Sequence, residues 1–118
     1  MRNVRLEKSV YVNGAIAVIV SSNGWRVMQD TKIFKMDATM AVLPEGAGST
    51  IVRAIKNNDT EDVLYAVEFS AGGATTLTDT EEHTLSVGDV VSLHIPEVAA
   101  TSGGQDLLVQ FLFHPVSR

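Results

Sequence analysis

The residues of this chain that could do chemistry are few and poorly spaced for it. Its three imidazoles are His83, His94 and His114. No two of them stand at the i, i+2 or i, i+4 spacing that aims two ligand nitrogens to one side of a strand or helix. His83 follows Glu81 and Glu82 in a polar stretch, His94 lies between Leu93 and Ile95, and His114 adjoins Pro115. They read as three unconnected surface or edge side chains. Carboxylates cluster twice, at Asp59, Glu61, Asp62 and at Asp79, Glu81, Glu82. Paired carboxylates can serve glycoside hydrolysis or calcium binding. Hydrolysis needs a deep cleft with sugar-stacking aromatics. The seven aromatics here (Tyr11, Trp25, Phe34, Tyr65, Phe69, Phe111, Phe113) mostly occupy apolar strand positions. Calcium binding needs a loop spacing with a glycine that neither cluster has. Both clusters therefore read as solvated turn tips. Serine is frequent, but no Gly-x-Ser-x-Gly elbow occurs. "EGAGST" and "SAGGATT" lack the Gly-Lys-Ser/Thr ending of a phosphate loop. There is no cysteine, which excludes disulfides, thiolate zinc sites and cysteine nucleophiles. The sequence thus predicts no catalytic residue, no cofactor and no metal site. It predicts a protein that is not an enzyme and acts through surface shape, edge strands and loops.

The elements that would carry such surfaces are strands. With 118 residues and an apolar fraction of 45%, the chain is one globular domain's worth, spanning 1–118. Alternation of period two dominates it. Val4, Leu6, Val10 and Val12 share one parity, Asn13-Gly14 signals a turn, and "AIAVIVS" reads as a buried strand. Ser22-Asn23-Gly24 signals another turn before Trp25. In the run that follows, Phe34, Met36, Ala38, Met40 and Val42 share a face. A loop at 44–49 precedes "IVRAIKNNDTEDVLYAVEF", a hairpin with an acidic tip. Gly88-Asp89 opens a strand limited by Pro96, the 100–104 stretch is a flexible loop, and Pro115 ends the last strand. No period of 3.6 persists for ten residues. The prediction is an all-β, single-domain antiparallel β-sandwich, jelly-roll-like, of eight or nine strands. Its expected core is Ile16, Val18, Phe34, Met36, Met40, Ile51, Ile55, Leu64, Ala66, Val91, Leu93, Leu108 and Phe111.

Net charge is −5, unevenly spread. Residues 1–35 carry six basic and two acidic groups, and residues 36–118 carry three basic and twelve acidic ones. An acidic chain with one modestly basic third is a poor nucleic-acid binder, but its basic part suits an acidic protein surface. No apolar run reaches the roughly 18 residues a membrane helix needs. The N-terminus lacks the pattern of a secretory signal, so the chain is expected to be made and used without export and without contact with membrane.

Several of these features recur together in one family. The pattern comprises Trp25-Arg26, the strand and small-residue loop "AVLPEGAGS", the strand and Lys-Asn tip "VRAIKNN", the Gly88-Asp89 strand opener, and the closing "ATSGGQDLLVQFLF". It covers about three quarters of the chain and resembles the structural β-sandwich domains of tailed bacteriophages: capsid decoration (cement) proteins, head fibres and tail-fibre modules. The resemblance implies no catalytic residues and a homo-oligomer, trimeric or dimeric. The lack of a fibre shaft favours a decoration protein, made in the host cytoplasm and placed on the virion's capsid surface, whose partner is the major capsid protein of the same virion. One departure is Asn57-Asn58-Asp59, where the pattern usually has Asn-Gly; it implies a tip wider than a two-residue turn. The partner interface expected on this basis has two parts. One is an N-terminal docking strand within 1–12 carrying Arg2, Val4, Arg5, Leu6 and Lys8. The other is the tip Asn57, Asn58, Asp59, sharing an end of the sandwich with the 43–49 and 100–104 loops. Two rival readings stand beside it: a tail or fibre module binding a host glycan or protein through Trp25, and a cupin-like or carbohydrate-binding β-sandwich whose histidines converge on a metal.

Overall fold

Eight strands follow one another in the computed structural model, which describes residues 5–116 except for the side chains of 21–23. They are β1 (Leu6–Ala15), β2 (Ile19–Arg26), β3 (Thr31–Val42), β4 (Thr50–Lys56), β5 (Asp59–Phe69), β6 (Thr76–Leu85), β7 (Val90–Glu97) and β8 (Gln105–Pro115). Two four-stranded sheets have the orders β1-β8-β3-β6 and β2-β7-β4-β5. The antiparallel pairs β1/β8, β2/β7, β3/β6 and β4/β5 each join strands equally far from the two ends of the chain. The polypeptide is in effect one long hairpin rolled into a sandwich, which is the jelly roll.

The acidic-tipped hairpin is the closed end of that roll. β4 stops at Lys56 and β5 starts at Asp59, leaving only Asn57 and Asn58 between them. Both have positive φ, 55° and 58°. This is a two-residue turn of the primed kind, not the wider tip expected from the missing glycine. Asparagine tolerates the left-handed region better than most side chains, so two of them can replace Asn-Gly.

Two other turn signals proved to be strand irregularities. Gly14, with φ of 80°, lies inside β1, where the pairing with β8 shifts between Val12 and Ala15. Ser22-Asn23-Gly24 lies inside β2, whose pairing with β7 shifts register on both sides of Ser22. "AIAVIV" is accordingly no single buried strand: it holds the β1–β2 connection, and Ile16 is buried while Val18 and Val20 are exposed.

One core fills the space between the sheets. It includes Ile33, Met36, Met40, Tyr65, Phe69, Leu85, Leu93, Leu107 and Phe111. Of the expected core, Ile16, Met36, Met40, Ile55, Leu64, Val91, Leu93 and Phe111 are buried, and five residues need correction. Phe34 is only half-buried because β3 shifts register between Ile33 and Lys35. The shift changes which parity faces inward, from Thr31 and Ile33 to Met36, Ala38 and Met40. Ile51 and Ala66 belong to the outward parity of β4 and β5, whose inward sets are Thr50, Val52, Ala54 and Tyr65, Val67, Phe69. Leu108 lies outward between buried Leu107 and Val109. Val18 is in the exposed connection.

Alternating strand directions put the connections at two ends. One end carries the 27–30, 57–58 and 86–89 connections, tied by Gly88 N–H donating to Val27 O and Val27 N–H to Asp89 O, each 2.9 Å. The other carries 43–49 and 98–104, laced by Glu45 N–H to Ser102 O (2.9 Å), Ser102 N–H to Glu45 O (3.0 Å) and Ala100 N–H to Ala47 O (2.9 Å). The hairpin tip and the 43–49 and 100–104 loops thus lie at opposite ends, the length of β4 apart, and do not share one as expected. The 100–104 stretch, expected to be a flexible loop, is bonded along its length.

Candidate functional site: the two long edges

The sandwich has two long sides, and they differ in kind. On one, β5 and β6 are the facing edge strands of the two sheets, and side chains stitch them together. The Tyr65 hydroxyl donates to Glu81 O, Ala66 N–H donates to Asp79 Oδ2 at 2.9 Å, and His83 Nε2 lies 2.8 Å from Leu64 O. Each bond satisfies an edge backbone group that would otherwise offer itself to another strand. Burial, with Asp79, Glu81 and Glu82 nearby, raises the Tyr65 pKa, so the hydroxyl keeps its proton. The stretch Asp79–His83 is therefore strand, not a solvated turn tip. The side is strongly acidic: Asp59, Glu61, Asp62, Glu68, Asp79, Glu81 and Glu82 lie on these two strands, which carry no lysine or arginine.

On the other side, β1 and β2 face each other across an open cleft of about 370 Å³ lined by Lys8, Ser9, Val10, Tyr11, Gly24 and Trp25. Trp25 is its half-buried floor, with its ring 4.8 Å from Phe113 and 6.2 Å from Phe111. β1 pairs continuously with β8 from Leu6 to Val12, while its outer rim is a sheet edge. The charged groups here are Arg5, Glu7, Lys8 and Arg26. Exposed apolar side chains accompany them: Leu6, Tyr11, Val18 and Val20 are four of the eight large exposed hydrophobics among the described residues. Unpaired outer rims on two edge strands, apolar surface and cations make this the more interface-like side.

The expected interface residues fall as follows. Arg2 and Val4 lie outside the described residues. Arg5 reaches over the Phe34 ring, 4.3 Å from its centroid. Leu6 and Lys8 lie on β1, opposite Phe113 and Phe111. The docking strand is thus an integral sheet strand with one rim paired internally and one free. Asn57, Asn58 and Asp59 are exposed at the far end of the hairpin but engaged with their own fold. Asn57 N–H donates to Val90 O (2.7 Å), Val90 N–H to Asn57 Oδ1 (2.9 Å) and Asn57 Nδ2 to Asp89 Oδ1 (3.1 Å). Ser92 Oγ donates to Asn58 Oδ1 at 3.2 Å, and Asp59 Oδ1 accepts from Glu61 N–H at 2.9 Å. The hydrogen bond from Asn57, that from Ser86 N–H and the charge of Lys56, 3.8 Å away, hold the Asp89 carboxyl below its ordinary pKa.

The histidines do not converge. His83 packs edge-on against Tyr65, with centroids 5.1 Å apart. His94 is half-buried on inner strand β7 with a buried, unpartnered Nδ1. Among the described residues no group of three or more His, Asp or Glu could hold a metal. The sealed edge and Trp25's place as the floor of the open one were missed from sequence. The only signal of the former was polar Asp79 and His83 on the inward parity of a strand.

No family model matches the chain, and no curated protein does. Among solved structures, a chain of the acid-stable capsid of Helicobacter pylori bacteriophage KHP30 is similar over 95% of both chains, with a TM-score of 0.62 and 13% identity. A Bacillus endospore appendage protein, from disulfide-linked pili, is similar over 99% of this chain and 93% of its own, with a TM-score of 0.43 and 13% identity. At such identity the first likeness shows a common fold, in a phage capsid structure, and the second carries no argument.

Proposed function

We propose that this protein is a structural component of a phage virion, a decoration protein that binds and reinforces a shell built from the major capsid protein of the same virion. The observation that carries the reading is the jelly roll it has in common, nearly end to end, with a chain of a phage capsid structure. A surface with an open, apolar and cationic β1–β2 side suits attachment to an acidic protein lattice. In this reading copies act as a homo-oligomer on the capsid surface, with β1 and the Asn57–Asp59 tip as contact points. The test is co-sedimentation of purified protein with expanded empty shells of the encoding virus. Binding that saturates at a fixed ratio to capsid subunits is the expected result; protein left in the supernatant at all ratios overturns it.

The rival tail-module reading has one observation in its favour, the cleft floored by Trp25 with Tyr11 on its wall. Aromatic faces stack on sugar rings. Binding on a glycan array that is lost in Trp25→Ala, with no attachment to shells, would replace the decoration reading with this one.

A further inference from the structure

The sandwich has four edge strands, and they are not equally open to pairing. β5 and β6 bond each other through Tyr65, Asp79 and His83, so the middle of each rim is occupied. β2 is irregular: its pairing with β7 shifts on both sides of Ser22, and a Cβ added at Gly24 would stand 2.5 Å from Val90 Cγ1. Bulged strands bend and pair poorly at a free rim. β1 is different. Seven residues, Leu6 to Val12, pair with β8 in unbroken register. Among the described residues no other strand lies on their far rim, and no side chain hydrogen-bonds their backbone. Alternation sends Lys8 and Val10 to one face of β1, and Ser9 and Tyr11 to the other. A cleft lined by all four therefore runs along the rim of the strand, with Gly24 and Trp25 beneath it. Lys8 is opposite Phe111, so it has the core-facing parity, yet it is exposed. An inward-pointing lysine on an edge strand discourages indiscriminate pairing, because an apolar guest would bury its charge. A guest with a carboxylate at that place removes the obstacle.

We propose that the rim of β1 takes an extended segment of another chain as a fifth strand of its sheet, with an Asp or Glu of the guest opposite Lys8. Leu6, Lys8 and Val10 share the core-facing parity. The matching face of the guest therefore reads apolar, acidic, apolar, and does so in either chain direction. Its apolar side chains cover Leu6 and the Trp25 wall of the cleft. A second copy of this chain supplies no such guest. Its β5 and β6 rims are occupied, and its own β1 has Leu6, Lys8, Val10 and Val12 on that parity, with no acid among them. The source of the guest rests on the decoration reading: it is a segment of the major capsid protein.

The probe is a synthetic peptide of about nine residues that alternates Val and Thr, with Glu in place of the central Val. It is set against the same peptide with Lys there, and backbone amides of the intact chain are followed by NMR. Shifts are expected only in β1 and around Gly24 and Trp25. Every second amide from Leu6 to Val12, those that β8 leaves free, is expected to slow its exchange with solvent. The Glu peptide is expected to bind roughly tenfold tighter than the Lys peptide, and Lys8→Glu to reverse the preference. The two peptides alone decide the matter if that variant does not fold. Binding of neither peptide, equal binding of both or a footprint elsewhere overturns the proposal. So do β1 amides already protected in the protein alone, as a second copy seated there would make them. Amide exchange of protein bound to expanded empty shells then tests the source. The same alternate protection supports a capsid segment. Shells bound with β1 unprotected overturn that source and leave the decoration reading standing. A protein that takes the Glu peptide but ignores shells overturns the decoration reading and leaves the strand site.

Discussion

At the scale of single residues, Asn57 does more than turn the chain. Its positive φ excludes most side chains, and its amide and backbone dock the hairpin on the start of β7. Asn57→Ala is expected to cost about 2–3 kcal/mol in denaturant unfolding, combining left-handed strain with lost hydrogen bonds. Asn57→Gly keeps the turn and loses only the docking bonds, so about 1 kcal/mol is expected. Equal losses in the two variants would show that the left-handed φ contributes nothing, and no loss in Asn57→Gly would show that the docking bonds contribute nothing. Asp89 gives a pH signature. Its pKa is depressed in the fold, so its contribution is present above the ordinary value of 3.8 and is lost as pH falls through the lower folded value. Asp89→Asn should flatten that part of the acid limb of stability against pH, and an unchanged limb would remove Asp89 from the account. The turn residues were legible in the sequence, but their geometry was not. Asn-Asn without glycine pointed to a wider tip, and what makes the tight one affordable is a partner strand thirty residues away.

At the scale of elements, alternation located the strands but often not their inward faces. β3 shows why. Its apolar residues alternate through Phe34 and Met36 as one face, yet a register shift at 33–35 splits the run. Met36→Ala should therefore cost about 2–5 kcal/mol, and Phe34→Ala clearly less, compared by urea unfolding. Comparable losses would mean the shift does not decide burial. In β4 and β5 the parity of Ile51 and Ala66 misled, because Tyr65 can be buried once its hydroxyl has Glu81 O to bond. The loop end holds a second constraint. A Cβ on Gly103 would stand 2.3 Å from Ile16 O and 3.1 Å from Val98. Gly103→Ala should cost at least about 1–3 kcal/mol, read as a lower melting temperature. An unaltered melt would show that the 98–104 connection can shift at no cost.

For the molecule as a whole, the charge asymmetry between the first third of the chain and the rest becomes an asymmetry between two sides. The roll does this: it puts β1 and β2 on one edge and β5 and β6 on the other. Composition already determined that the chain is all-β, lacks thiol chemistry and has no clustered histidines, because these follow from residue types and a period of two that neighbours along the chain enforce. Which parity faces inward, whether a turn signal makes a turn or a bulge and which edge is sealed were decided only in three dimensions. Each depends on the register between strands up to a hundred residues apart, and register is set by packing the two sheets against one core, a condition no local stretch contains.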